Sequence, residues 1–209
     1  MNLPNKLTVS RIILVVIFVV FAFPLPAWLT PEGEAFRTIE EIKPIIALII
    51  YIIASLTDAI DGHIARKRNL ITSFGKFLDP IADKLLVTAA LLALANVNIL
   101  YLWAAMVILA REFIVSGIRM IAASEGVVIA AGRLGKMKMV FQTIAVIVLL
   151  VAGIIPEDWK LSARSVQEIF YFGGNLVMVL AVILTIVSGA EYVVKNKALL
   201  KIKTPEKKS

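Results

Sequence analysis

The sequence predicts an all-α integral membrane protein of six transmembrane helices, with a short N-terminal interfacial segment and both termini on the cytoplasmic side. Three observations predict it. Sixty per cent of the 209 residues are hydrophobic and mean hydropathy is +0.91, more apolar than a soluble chain of this length carries. The apolar residues fall in runs long enough to cross a bilayer, which takes ~20 helical residues, and a helix satisfies its own backbone there. The segments between the runs alternate between basic and acidic or neutral, which sets orientation. There is no cysteine, which excludes disulfides and thiolate metal sites. The net charge of +7 is modest, so where the charges lie matters more than their sum.

The opening residues, Met1 to Arg11, are polar enough to lie at the interface; Pro4 and Asn5 suit a turn, and Thr8 or Ser10 suits a helix cap. The first span covers about 10–29. Basic residues precede it as in a signal peptide, but Pro24 to Trp28 forms no small-x-small cleavage site, so a retained span is expected. The next loop is net acidic, with Glu32, Glu34, Glu40 and Glu41 against Arg37 and Lys43. The second span covers about 42–66 and the third about 74–97, joined by a basic loop from Lys67. Pro80 is harmless in a first helical turn and bends a helix already under way. After Asn96 and Asn98 the fourth span covers about 100–123, and a second basic connection carries Arg133, Lys136 and Lys138. The fifth span covers about 136–155. A charge-balanced loop comes next, then a sixth span over about 166–192 and a basic tail.

With six spans, the N-terminus, both basic connections and the tail share one side, and the acidic or neutral loops share the other. The positive-inside rule makes the basic side cytoplasmic. Residues 1–202 read as a single membrane domain and 203–209 as a basic tail, with no internal repeat. Trp28, Trp103 and Trp159 fall near the non-cytoplasmic ends of spans, as interfacial anchors do.

One polar stretch stands out against this background. Asp58, Asp61, Asp79 and Asp83 bracket Gly62, Ala65, Arg66 and Gly75 at the cytoplasmic edge of the second and third spans. Ionisable residues at membrane depth are expensive and mark function. On a helix, Asp58, Asp61, Gly62, Ala65 and Arg66 fall within about 140° of arc, and Asp79 and Asp83 share a face of the next helix. Two antiparallel helices then point two carboxylate pairs at each other. Four facing carboxylates repel unless cations lie between them, and an all-oxygen set favours Mg²⁺, Mn²⁺ or Ca²⁺. Two such ions suit phosphoryl chemistry. Gly62 and Ala65 let a ligand approach the backbone, and Arg66 suits a phosphate. Taken singly, these are ordinary helix caps and packing residues; the combined spacing is what carries the reading. His63 points away from the acidic face, and Lys67 and Arg68 serve topology and anionic lipid.

Asp58-x2-Asp61-Gly62-x2-Ala65-Arg66-x8-Gly75-x3-Asp79-x3-Asp83 resembles the complete signature of the CDP-alcohol phosphotransferases, and six spans resemble that family's architecture. The resemblance implies that Asp58, Asp61, Asp79 and Asp83 hold two divalent cations, Mg²⁺ or Mn²⁺. It implies that Asp83 is the catalytic base, and that Asp58, Asp61, Gly62, Ala65, Arg66 and Gly75 bind the CDP-lipid. A homodimer is also implied.

The acceptor must be chosen elsewhere in the chain. Residues 3–11, 111–119 and 135–142 resemble the branch that makes phosphatidylglycerophosphate in bacteria. The expected substrates are CDP-diacylglycerol and sn-glycerol 3-phosphate, in the cytoplasmic membrane with the active site facing the cytoplasm. No nucleic-acid partner is expected. Charge supports an anionic acceptor independently. Arg111 lies well inside the fourth span, where an unpaired cation is costly. Pairing with Glu112 looks awkward, because successive helical residues diverge by ~100°. Arg119 lies two turns on, roughly on the side of Arg111, while Arg133, Lys136 and Lys138 lie at the same membrane face. All five are candidate ligands for the acceptor phosphate, although some of the last three can equally serve topology. Glu112 is a candidate to orient an arginine or the incoming hydroxyl. Two alternatives remain open. One is the same family with another acceptor (inositol phosphate, serine, another phosphatidylglycerol or a different alcohol); the other is a cation transporter, against which Arg66 argues.

Overall fold

A computed structural model describes residues 3–24, 34–68, 73–124, 126, 127, 129, 132–156, 158–161 and 164–197. The side chains of residues 58–68 and 73–83 lie outside what it describes, although their backbone is helical.

Among the described residues there are six helices: α1 (Leu3–Ala22), α2 (Glu34–Arg68), α3 (Ser73–Val97), α4 (Ile99–Ser124), α5 (Arg133–Ala152) and α6 (Val166–Lys195). A two-residue antiparallel ribbon, β1 (Lys160–Leu161) with β2 (Arg164–Ser165), leads into α6 and pairs Lys160 with Ser165. The expected spans and the helices agree closely from α3 onward.

The differences have local causes. The N-terminal segment is no separate interfacial piece in the described residues. It forms the first turns of α1, where Pro4 needs no hydrogen-bonded N–H, so Thr8 and Ser10 lie inside the helix rather than capping it. The helix ends at Ala22, well before residue 29, because Pro24 disfavours helical backbone at the residue before it. Trp28 lies outside the described residues. Helix α2 starts at Glu34 rather than near residue 42, because the polar 34–41 segment is helix-competent without being apolar. Pro80 stands in the third turn of α3, not the first, and the helix runs through it.

Length and composition alone make α5 and α6 long and apolar enough to cross a membrane, and shorter apolar runs cover Val9–Ala22 and Lys84–Val97. The 35 residues of α2 reach roughly 50 Å at 1.5 Å per residue, against a hydrocarbon core of ~30 Å. The charged residues of α2 lie toward its two ends.

Helix α5 lies along α6, α1 packs on α2 and α3, and α4 contacts α3 and α6. Fully buried alanines at 54, 90, 105, 145 and 181 let these helices approach closely. Phe18 meets Tyr51 with ring centroids 5.9 Å apart, and Leu91, Ile108, Val146 and Leu149 complete the centre. Tyr51 also hydrogen-bonds to Ser55 and, across to α5, to Thr143. Large apolar residues point outward, among them Ile13, Leu56, Phe113, Met120 and Val140. Trp103 and Trp159 are also exposed, as interfacial anchors are.

Helix α4 has a defined stop. Gly126 adopts φ +76°. Its N–H donates to Ala123 O at 3.1 Å, and Val127 N–H donates to Ala122 O at 2.9 Å. This is the paired closure of a Schellman motif, which needs a left-handed residue and so favours glycine. It ends α4 cleanly and sends the chain toward α5.

Candidate active site

A cavity of about 400 Å³ opens at one end of the bundle. It collects the second half of α4, the first turns of α5, the last turns of α6 and Lys84 of α3. Among the described residues, six cationic side chains line it (Lys84, Arg111, Arg119, Lys136, Lys138 and Lys195) against two acidic ones, Glu112 and Glu191. Glu191 is ion-paired with Lys195 one turn away. Among the described residues the remaining charge is positive, which suits a small polyanion.

The centre of the cavity is an ion network. Arg111 Nη1 donates to Glu112 Oε1 at 3.0 Å, and Lys138 Nζ donates to the same oxygen at 2.6 Å. Arg111 Nη2 donates to Ser188 Oγ at 3.2 Å, and Ser188 donates onward to Thr185 O at 3.3 Å. Lys138 is buried, at 4% exposure, and one carboxylate oxygen holds two cations. The Arg111–Glu112 pairing, awkward by helical angle, is therefore made. The reason is room from other helices. A Cβ on Gly189 would lie 2.9 Å from Arg111 Cγ, and one on Gly135 would lie 3.3 Å from Arg111 Nη2. Two glycines on α5 and α6 thus flank the arginine and let it fold back along α4. Nearer the mouth, Arg119 Nε donates to Tyr192 OH at 3.3 Å, and its guanidinium carbon lies 5.6 Å from that ring's centroid.

Four of the five expected acceptor residues (Arg111, Arg119, Lys136 and Lys138) line the cavity. Arg133 does not; it is exposed at the first residue of α5. The metal and CDP-lipid candidates divide between two helices: Asp58, Asp61, Gly62, Ala65 and Arg66 are in the last turns of α2, and Gly75, Asp79 and Asp83 in the first turns of α3. Their side chains lie outside the described residues. Lys84, which directly follows Asp83 in α3, is part of the cavity lining. As a donor set, four carboxylates on consecutive helices fit hard divalent cations.

Sequence reasoning missed the contribution of α6. Ser188, Gly189, Glu191 and Tyr192 cluster in an otherwise apolar helix, and intramembrane polarity is a signal that points to function. Gln142 was visible only as part of the 135–142 stretch, with no role attached to it.

A sequence profile for CDP-alcohol phosphatidyltransferases matches residues 1–187. The chain is 42% identical, over 96% of its length and 97% of the relative's, to a Bacillus subtilis protein named CDP-diacylglycerol–glycerol-3-phosphate 3-phosphatidyltransferase. A Rickettsia felis protein of the same name is 34% identical over 91% of this chain and 93% of its own. A Mycobacterium tuberculosis protein named probable phosphatidylglycerophosphate synthase is 31% identical over 93% of this chain and 81% of its own. The chain belongs to the CDP-alcohol phosphatidyltransferase family.

Proposed function

We propose that this protein transfers the phosphatidyl group of CDP-diacylglycerol to sn-glycerol 3-phosphate, giving phosphatidylglycerophosphate and CMP. The observation that carries the acceptor is the cavity, whose described lining includes Arg111, Arg119, Lys136 and Lys138. A three-carbon phosphate fits it and finds its counter-charges there. The names of the relatives support the same reaction and favour a transferase over a cation transporter.

The residues divide the work. Asp58, Asp61, Asp79 and Asp83 would hold two divalent cations, Mg²⁺ or Mn²⁺. When bound, these supply charge neutralisation on the diphosphate. Gly62, Ala65 and Gly75 leave room for the CDP group, and Arg66 pairs with phosphate oxygen. Asp83 takes the proton of the acceptor's primary hydroxyl as that oxygen attacks the β-phosphorus. The bond to the CMP oxygen breaks and CMP leaves. Arg111, Arg119, Lys136 and Lys138 hold the acceptor's phosphate, and Glu112 keeps Arg111 and Lys138 in position. Arg133, exposed outside the cavity, belongs with the charge that orients the protein.

The same reading completes the architecture. Residues 1–202 form one membrane domain of six spans, and 203–209 a basic tail. Both termini and the active site face the cytoplasm in the cytoplasmic membrane, and the protein works as a homodimer. The lipid tails stay in the bilayer while the head reaches the cavity.

The test is CMP release from CDP-diacylglycerol with a panel of acceptors: sn-glycerol 3-phosphate, inositol phosphate, serine and phosphatidylglycerol. Release with sn-glycerol 3-phosphate, lost on chelation and restored by Mg²⁺ or Mn²⁺, is expected. Release only with another alcohol would reject the acceptor and keep the chemistry.

The glycine flanking Arg111 makes a separate expectation. Gly189→Ala puts a methyl group against the stem of Arg111, not its flexible tip. The arginine must shift, and KM for sn-glycerol 3-phosphate rises roughly 5- to 20-fold while kcat changes much less, as for a lost uniform binding interaction. Steady-state kinetics with purified protein checks it; an unchanged KM would mean that Arg111 does not contact the acceptor.

A further inference from the structure

The cations of the cavity account for a phosphate, but a phosphate alone does not distinguish one phosphorylated alcohol from another. Gln142 offers what they lack. It is buried, at 3% exposure, it lines the same cavity, and its Oε1 has no hydrogen-bond partner among the described residues. Buried amide oxygens without a partner are uncommon and destabilising, so each one calls for an explanation. The neighbouring neutral groups are already engaged. Thr143 donates to Met139 O at 3.0 Å and pairs with Tyr51. Ser188 takes Arg111 and gives to Thr185 O.

Gln142 follows Lys138 by one helical turn on the same face of α5, about 6 Å along the axis. One small molecule can therefore meet the cation network with its phosphate and Gln142 with a hydroxyl. An amide suits a hydroxyl because each carries both a donor and an acceptor. The acceptor has two hydroxyls. The primary one is the nucleophile and must face Asp83; the secondary one takes no part in the chemistry and is free to be recognised.

We propose that Gln142 accepts a hydrogen bond from the secondary hydroxyl of the acceptor and so selects a glycerol phosphate over phosphorylated alcohols lacking that group. The inference rests on the acceptor reading under Proposed function. It predicts a specificity that a merely structural glutamine would not produce.

The experiment uses the full-length protein in mixed micelles with CDP-diacylglycerol, measuring CMP release with sn-glycerol 3-phosphate and with 3-hydroxypropyl phosphate. The second acceptor keeps the nucleophile and the phosphate and lacks only the secondary hydroxyl. The native protein should prefer sn-glycerol 3-phosphate in kcat/KM by roughly 10- to 100-fold, the range for leaving one buried polar group unpaired. Gln142→Met, nearly the same size and apolar, should lower kcat/KM for sn-glycerol 3-phosphate to the level of the analogue and leave the analogue's value within about twofold. Gln142→Asn, which withdraws the amide by one methylene, should shrink the preference in the same direction and serves if the Met variant does not accumulate. A native protein without preference, or a Gln142 variant that loses equally on both acceptors, overturns the proposal. No CMP release from the native protein with sn-glycerol 3-phosphate would instead overturn the acceptor reading, and this inference with it.

Discussion

Asp83→Asn is expected to give a protein that folds and binds CDP-diacylglycerol but releases CMP roughly 10²–10⁴ times more slowly, the range for losing a positioned general base. The substitution preserves size and removes only the charge and the basic oxygen. Asp83 is in α3, one residue before Lys84 of the cavity, and is the base in the proposed reaction. The loss should fall on kcat. On the proposed reading Arg111, Arg119, Lys136 and Lys138 hold the acceptor's phosphate, and the substitution leaves them alone, so KM for sn-glycerol 3-phosphate should move far less. Asp83 also has a proposed share in holding the cations, and a metal titration separates the two roles. If saturating Mg²⁺ restores the native rate, Asp83 is a ligand and not the base. Asp58→Asn is the control: on the proposed reading Asp58 is a ligand only, and the variant should recover a larger part of its activity as Mg²⁺ is raised.

How much could be read from the sequence depends on where each feature originates. Helices α3, α4, α5 and α6 end within about three residues of the expected limits, because an apolar run reports its own length. The start of α2 is not legible in apolarity, because residues 34–41 are helical without being apolar. The end of α1 is not legible in the apolar run, which continues past Pro24. The aspartate signature depends only on spacing along two helices and was legible in full as a pattern. The cations that line the cavity are legible where they share a helical face, but Arg133 lies about 140° around α5 from Lys138. The Arg111–Glu112 pair is not legible on a helical wheel, which contains one helix. It forms beside Gly135 on α5 and Gly189 on α6, and no reading of α4 alone contains them. Gln142 is a similar case, since its lack of a partner exists only after α4, α5 and α6 have packed.

Glu112 carries the largest expected effect on stability. Glu112→Gln keeps the shape and removes the one negative charge between Arg111 and Lys138, whose side chains are 15% and 5% exposed. Two cations are then left close together with little solvent to screen them. Breaking a fully buried pair costs ~3–5 kcal/mol; with Glu112 itself 21% exposed, roughly 2–3 kcal/mol is expected here. Thermal unfolding in detergent should show this as a lowered midpoint, together with reduced transfer because Arg111 loses its orienting partner. A second substitution distinguishes charge from packing. Lys138→Met on the Glu112→Gln background removes one of the stranded cations and should recover much of the loss, so the two changes will not add. Phosphate provides the converse test. If the cation pair is where the acceptor's phosphate binds, inorganic phosphate replaces the missing counter-charge and should raise the midpoint of Glu112→Gln more than that of the native protein, by mass action on the folded state. Equal shifts in the two proteins would place the phosphate away from Arg111 and Lys138. The carboxylate would then be a structural tie between α4 and α5, not part of the acceptor site.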